Sequence, residues 1–225
     1  MPMRGWLEVL QALDTVFLPG LWVTFEISFL ALCLALGIGL VSGIASAAPW
    51  GPLRALARSY VEFFQNTPLL LQLFFVFYSL PYLGLHIDAF WASVLSLGIY
   101  TGAYVSEVVR AGIGSVARGQ FDAALAQGFA YTGLMRHIIL PQVTPVVLPP
   151  LTNQCLNLVK NSAVAMLVGA GDLFYRMDNW QAQNFLTTEA YSTAALLYLG
   201  ITLPLSFLAV RLERQAGWLR QRTRW

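Results

Sequence analysis

Residues 21–48 read LWVTFEISFLALCLALGIGLVSGIASAA, an apolar run whose single charge is Glu26. The hydrocarbon core of a bilayer takes about 20 helical residues, so this run is long enough to cross it. The rest of the chain agrees. Of 225 residues, 57% are hydrophobic and only 11% are charged, and the mean hydropathy is +0.63. Soluble domains carry roughly 25% charged residues, so the apolar side chains here face lipid rather than a single wet-surfaced core. Seven tryptophans supply anchors for the membrane–water interface. Cys33 and Cys155 both sit inside apolar runs, which argues against a disulfide framework or a zinc site. A net charge of +2 gives no reason to expect nucleic acid. The fold class expected is an all-α integral membrane protein.

Working outward, four further apolar runs follow. Residues 63–85 carry no charge, with Pro81 near their end; residues 89–109 lie between Asp88 and Arg110 and hold Glu107 at their far end. Residues 144–169 are interrupted by Lys160 alone, and residues 190–210 lie between Glu189 and Arg211. The expectation is five transmembrane helices within 20–213, preceded by an N-terminal extracytoplasmic segment, 1–19, and followed by a basic cytoplasmic tail, 214–225. An odd number of spans puts the termini on opposite sides. With the N-terminus outside, the inner segments hold Arg54, Arg58, Arg110, Arg118, Arg136, Arg211, Arg214, Arg220, Arg222 and Arg224, and the outer ones only Arg4 and Arg176. That asymmetry follows the positive-inside rule. Ala45-Ser46-Ala47 resembles a signal-peptide cleavage site, but the run before it is too long and lacks a basic start.

The segment between the third and fourth spans runs for about 30 residues, long for a connection without function. Its Ala- and Leu-rich middle, 120–127, predicts a short helix that Gly128 ends, unless that glycine instead admits a close backbone approach. A second amphipathic stretch, 133–140, is expected to stop at Pro141. From the residues alone this is a surface hairpin of two short helices.

The spacing of that hairpin resembles the EAA loop of permeases of type I ABC importers: Asp122-Ala123-Ala124, then Gly128, then Ile138-Ile139-Leu140-Pro141. Asp122 stands where the family usually has Glu. Further stretches are similar to polar amino-acid permeases: Tyr60-Val61-Glu62-Phe63-Phe64-Gln65-Asn66-Thr67-Pro68-Leu69-Leu70, the segment from Gly102 to Ile113, and Val159-Lys160-Asn161-Ser162 with Val168-Gly169. The resemblance runs from about residue 20 to 213. It implies the type I importer fold, a permease paired as a homo- or heterodimer in a bacterial inner membrane, two cytoplasmic ATPase subunits, and an extracytoplasmic amino-acid-binding protein. In that family the EAA helix is the coupling helix docked on the ATPase, a role that falls here on Asp122, Ala123, Ala124, Gly128, Ile138, Leu140 and Pro141.

A phosphate-binding loop needs Gly-Lys-Ser/Thr, whereas the only lysine, Lys160, follows Val159 within an expected span. The chain is therefore expected not to be an enzyme by itself, with ATP and Mg bound by the partner ATPase and no cofactor of its own. His86 and His137 fall on opposite sides of the membrane and cannot share a metal. An ion-coupled secondary transporter is the alternative; it predicts paired intramembrane carboxylates or inverted repeats, and no repeat is visible. A membrane scaffold would leave the polar residues of the fourth span without a purpose.

Ionisable groups inside a span cost roughly 2.5–3.5 kcal/mol on insertion scales and default to functional candidates. Asn153, Asn157, Lys160 and Asn161 fall within about 100° of arc on a helix. They either line a substrate pathway, where an ammonium and amides suit an amino acid, or join helices by hydrogen bonds. Glu107 and Arg110 form an intrahelical pair, or Glu107 serves as a gate or as the partner of Lys160. Asn66, Thr67 and Gln72 either line the pathway or satisfy backbone groups where Pro68 begins a helix. A lysine in the pathway, and the similarity of Lys-Asn-Ser to glutamate and aspartate permeases, favour acidic amino acids or their amides. Asp172 to Glu189, with Asp178 and Trp180, is either a docking rim for a binding protein or an ordinary wet loop.

Overall fold

The computed structural model describes residues 2–222, and all regular structure among them is helical. Arg224 lies outside the described residues, as do the side chains of Arg220 and Arg222. Helix α1 (Pro2–Ala12) passes through a π turn (Leu13–Phe17) into α2 (Leu18–Ala47), so helix also precedes the first apolar run. Then come α3 (Gly51–Gln65), α4 (Leu69–Phe74) with π and 3-10 turns through Leu83, and α5 (Ala89–Gly114). Next are α6 (Arg118–Ala126), α7 (Tyr131–Leu134), a π turn (Met135–Ile139), α8 (Leu140–Asn161) and a 3-10 segment (Ser162–Val168). Last are α9 (Leu173–Asn184) and α10 (Thr187–Arg222).

Arg4–Ala47, Ala89–Gly114 and Thr187–Leu212 are each long and apolar enough to cross a membrane, and α3 with the segment after it does so only as a pair bent by 102°. The remaining expected span, the fourth, is α8 and its 3-10 continuation. It holds three internal prolines and the Asn153–Lys160 stripe, and it does not match the other helices in apolarity.

The expected span over 63–85 takes in the end of α3 at Gln65 and a new helix that starts after Pro68, with the 102° bend between them. Thr67 precedes Pro68 and is pushed out of the helical region by the proline ring. Pro68 itself is extended, with φ −59° and ψ 133°. Polar side chains close the gap in place of backbone bonds. The Asn66 amide donates to the Glu62 carbonyl (2.7 Å), the Thr67 hydroxyl donates to the Phe63 carbonyl, and Gln72 Nε2 reaches across to Phe64 O (3.0 Å) and Thr67 O (3.1 Å).

Helices α2 and α5 form the centre of the molecule because both present small residues at every fourth position: Ala31, Ala35, Gly39 and Gly43 against Gly98, Gly102 and Ser106. Lipid offers no hydrophobic drive between helices, so such stripes let backbones close to van der Waals contact. A Cβ on Gly39 would lie 2.4 Å from Val105 Cβ and 2.8 Å from the Gly102 carbonyl. At one end of this pair an apolar core of Val105, Val109, Ile113, Leu134, Ile139, Val143 and Val147 joins α5 to α8 and the hairpin between them. At the other end Val9, Phe17, Leu173, Met177 and Ala190 gather α1, α9 and α10.

Candidate functional site: the hairpin and the polar faces

Helix α6 ends at Gln127 because Gly128 takes φ +84°, and the N–H of Phe129 then reaches back to the Ala124 carbonyl at 3.1 Å. A Cβ on Gly128 would meet nothing within 4 Å. Of the two reasons open for this glycine, the left-handed backbone applies and a close approach within the chain does not. Ala124 is buried in the apolar core, whereas Asp122 and Ala123 are exposed, and so are Leu125 at 54% and Phe129 at 38%.

The second helix does not stop at Pro141. It continues from Tyr131 through the π turn directly into α8, with Pro141 in the first turn of α8. Proline lacks an N–H, and the wider turn before it absorbs the missing donor: the N–H of Leu140 bonds Met135 O, and Gln142 Nε2 supplies Ile138 O at 2.8 Å. Ile138 and Leu140 are half-buried against the core, and Ile139, which the spacing did not single out, is fully buried. The hairpin is thus an extension of α5 and α8 with one exposed face.

On α8, Asn153, Asn157 and Lys160 are exposed and Asn161 is half-buried, while Leu158 and Val159 on the opposite side are buried. The stripe turns away from its own chain, and Lys160 has no ion-pair partner among the described residues. Glu107 is bound to Arg110, Arg110 Nε reaching Glu107 Oε2 at 2.9 Å, and so is not the partner of Lys160 within the chain. Asn66 and Thr67 spend their donors on α3, as described above, and Gln72 spends its amide across the bend; its Oε1 is buried without a partner. Gln72 and Thr67 border an apolar cavity of about 420 Å³ formed with Phe63, Phe64, Leu71 and Phe75.

A second cavity, of about 290 Å³, is lined by Ser46, Arg58, Val61, Glu62, Glu107 and Arg110. Of these, Glu107 and Arg110 stand out in the sequence as a charged pair, whereas Arg58, Glu62 and Ser46 do not stand out as site residues. The available signal was the four-residue spacing of Arg58 and Glu62 on a helix whose other face is apolar.

The expected outer rim is partly internal. Asp172 is fully buried. Its Oδ2 accepts the Phe174 N–H (3.1 Å) and caps α9, its Oδ1 has no partner, and the neighbouring Leu173 N–H donates to Thr24 Oγ1 (3.0 Å). It lies outside the apolar spans, and burial pushes its carboxyl up to about 6. Trp180 packs edge-on against Phe17 at 5.6 Å, and Asp178 accepts from the Tyr191 hydroxyl at 3.0 Å. Phe185, in a left-handed turn, remains 87% exposed.

A helical fold with close-packed central helices long and apolar enough to cross a membrane is that of an integral membrane protein, and similarity to known proteins gives its family. Residues 15–218 match the family model described as binding-protein-dependent transport system inner membrane component. The chain belongs to that family and is a permease subunit of the amino-acid ABC importer class. It is 41% identical over 204 residues to the probable glutamine ABC transporter permease protein GlnM of Bacillus subtilis (strain 168), covering 89% of this chain and 94% of that one. It is 35% identical over 199 residues to the arginine transport system permease protein ArtQ of the same organism, covering 88% of this chain and 91% of that one. The glutamine transport system permease protein GlnP of Escherichia coli (strain K12) is 34% identical over 202 residues, covering 89% of this chain and 92% of that one. Among solved structures, an amino acid ABC transporter with histidines superposes with a TM-score of 0.84 at 34% identity, covering 93% of this chain and 98% of that one. The inward-facing methionine ABC transporter MetNI shares the fold at 20% identity and a TM-score of 0.74, covering 89% of this chain and 96% of that one.

Proposed function

We propose that this permease subunit carries a polar amino acid, with amides and acidic amino acids preferred, through a pathway formed with a second permease subunit. The observation that carries the reading is the exposed polar stripe of α8. An unpaired lysine and two amides facing outward from a membrane chain are costly in lipid. A second permease subunit and a hydrated path between the two would cover them. The relatives named for glutamine and arginine support an amino acid as cargo, and the terminal amide or carboxylate of glutamine and glutamate suits Lys160 with Asn153, Asn157 and Asn161. Glu107 and Gln72 complete the candidate pathway; Asn66 and Thr67 shape its bend.

The reading extends to energy supply. The exposed face of Asp122, Ala123, Leu125 and Phe129 is the surface offered to a cytoplasmic ATPase, which binds ATP and Mg. Ala124, Ile138 and Leu140 anchor it to the core, while Gly128 and Pro141 shape the hairpin. The N-terminus lies outside and the C-terminus in the cytoplasm. An extracytoplasmic binding protein delivers the amino acid and favours the outward-open state through differential affinity.

The test is reconstitution of this chain with its ATPase and binding protein in proteoliposomes. Uptake of glutamine that needs ATP and survives collapse of ion gradients supports the reading, whereas uptake driven by a proton or sodium gradient without ATP refutes it.

A further inference from the structure

Arg58 and Glu62 stand one turn apart on α3, and neither side chain is hydrogen-bonded or ion-paired among the described residues. Both line the cavity of about 290 Å³ that Glu107 and Arg110 close from α5. Those last two are bound to each other, so their charges are already spent. At the end of α2, Ser46 borders the same cavity; it is 2% exposed, and its hydroxyl has no partner. The cavity therefore offers a cation in no direct ion pair, whose charge acts on Glu107 across it, together with one anion and one buried hydroxyl without partners among the described residues. A polyphosphate would meet two carboxylates, and a divalent cation would meet two guanidinium groups. A zwitterion meets one charge of each sign. The volume is at the lower end of small-molecule sites, roughly 300–1,000 Å³, which fits a free amino acid and not a nucleotide.

From this we infer that the cavity binds the zwitterionic end of a free amino acid, its α-carboxylate on Arg58 and Ser46 and its α-ammonium on Glu62. Arg58 and Glu62 then form a recognition site separate from the Lys160 stripe: the neighbouring Leu158 packs beside Ile27, Ala31 and Leu97, far along α2 and α5 from Ser46 and Glu107. The inference rests on the amino-acid reading of the pathway and adds the part of the substrate that all amino acids share.

The experiment is equilibrium binding of radiolabelled glutamine to the complex in lipid nanodiscs without the binding protein. The competitors are N-acetylglutamine, which lacks the ammonium, and glutamine methyl ester, which lacks the carboxylate. Expected are saturable binding, poor competition by both analogues, and about tenfold weaker binding in Arg58→Met and in Glu62→Gln, as for loss of a charge-assisted bond. Arg58→Lys keeps the charge and restores most of the binding. Wild-type affinity in both Arg58→Met and Glu62→Gln, full competition by both analogues, or no saturable binding of glutamine, glutamate, arginine or histidine would each overturn the site. Retention of the ATPase is scored separately on each sample: its loss with glutamine binding intact refutes the coupling surface and leaves the cavity assignment standing.

Discussion

The N–H of Phe129 donates to the carbonyl of Ala124 across the left-handed turn at Gly128, at 3.1 Å. That bond holds α6 at a fixed angle to the helix that continues into α8, with Ala124 in the core and Leu125 and Phe129 outside. A branched residue at φ +84° is strained by about 1–3 kcal/mol, whereas asparagine tolerates the conformation. Gly128→Val is expected to insert normally and to lose uptake, since the hairpin bends differently while the spans stay packed. Gly128→Asn should keep more than about half of it. Membrane insertion by protease protection and glutamine uptake, measured on the same cells, check this; wild-type uptake in Gly128→Val refutes the hairpin's role.

The glycines of α2 separate packing from propensity. Gly37 has open space around its Cβ position, and Gly39 has Val105 at 2.4 Å. Gly37→Ala should therefore be neutral or stabilising, by up to about 1 kcal/mol from helix propensity. Gly39→Leu has to push α2 off α5, and overpacking typically costs about 1–3 kcal/mol or more. Unfolding in mixed micelles titrated with denaturing detergent gives both values. Equal stability of the two variants would contradict the α2–α5 contact.

Much of this was legible before the structure. Leu21 to Ala48 and Ala89 to Val109 announce themselves by apolarity alone, and the hairpin by the spacing of Ala124, Gly128 and Pro141. The helix start at Pro68 was legible, but the 102° bend there was not, because hydropathy counts an apolar residue identically on either side of a bend. Pro141 misled because a proline ends a helix only when its missing donor is unaccommodated, and the π turn of Met135–Ile139 accommodates it. Arg58, Glu62 and Ser46 lie on different helices from Glu107, and their convergence is a property of packing that no local pattern encodes. Asp172 read as part of a wet rim, since burial of an acid after a glycine-rich turn has no sequence signature.

The face of α8 yields the third expectation. Lys160 is exposed and has no ion-pair partner among the described residues, so removing its charge leaves no buried partner behind there. Lys160→Met should fold as the parent and shift the ratio of glutamine to arginine uptake by about tenfold towards arginine, the size expected for one charge-assisted contact. Competition uptake in proteoliposomes reads the ratio. An unchanged ratio would return the stripe to helix–helix contact.

Asp172 carries a dependence on pH whose sign follows from its burial. Its carboxyl ionises near 6 in the folded protein and near 3.9 in an unfolded chain. The folded state therefore holds the proton more tightly. Stability from the neutral acid is complete below about pH 4, declines as pH rises, and is gone above about 6, a total on the order of 2–3 kcal/mol. Asparagine keeps an acceptor for the Phe174 N–H and carries no charge, so the cap of α9 survives. Asp172→Asn should flatten the dependence of thermal stability between about pH 3.5 and about pH 7 (about neutral relative to the parent at the low end, more stable at the high end). Melting of the detergent-solubilised protein across that range checks it, and a variant that melts in parallel with the parent at every pH would place the titration elsewhere. The group acts from a buried position that joins α2, through Thr24 and Leu173, to the start of α9. Its ionisation is therefore expected to loosen the start of α9 and the part of α2 around Thr24 together, not a surface loop alone.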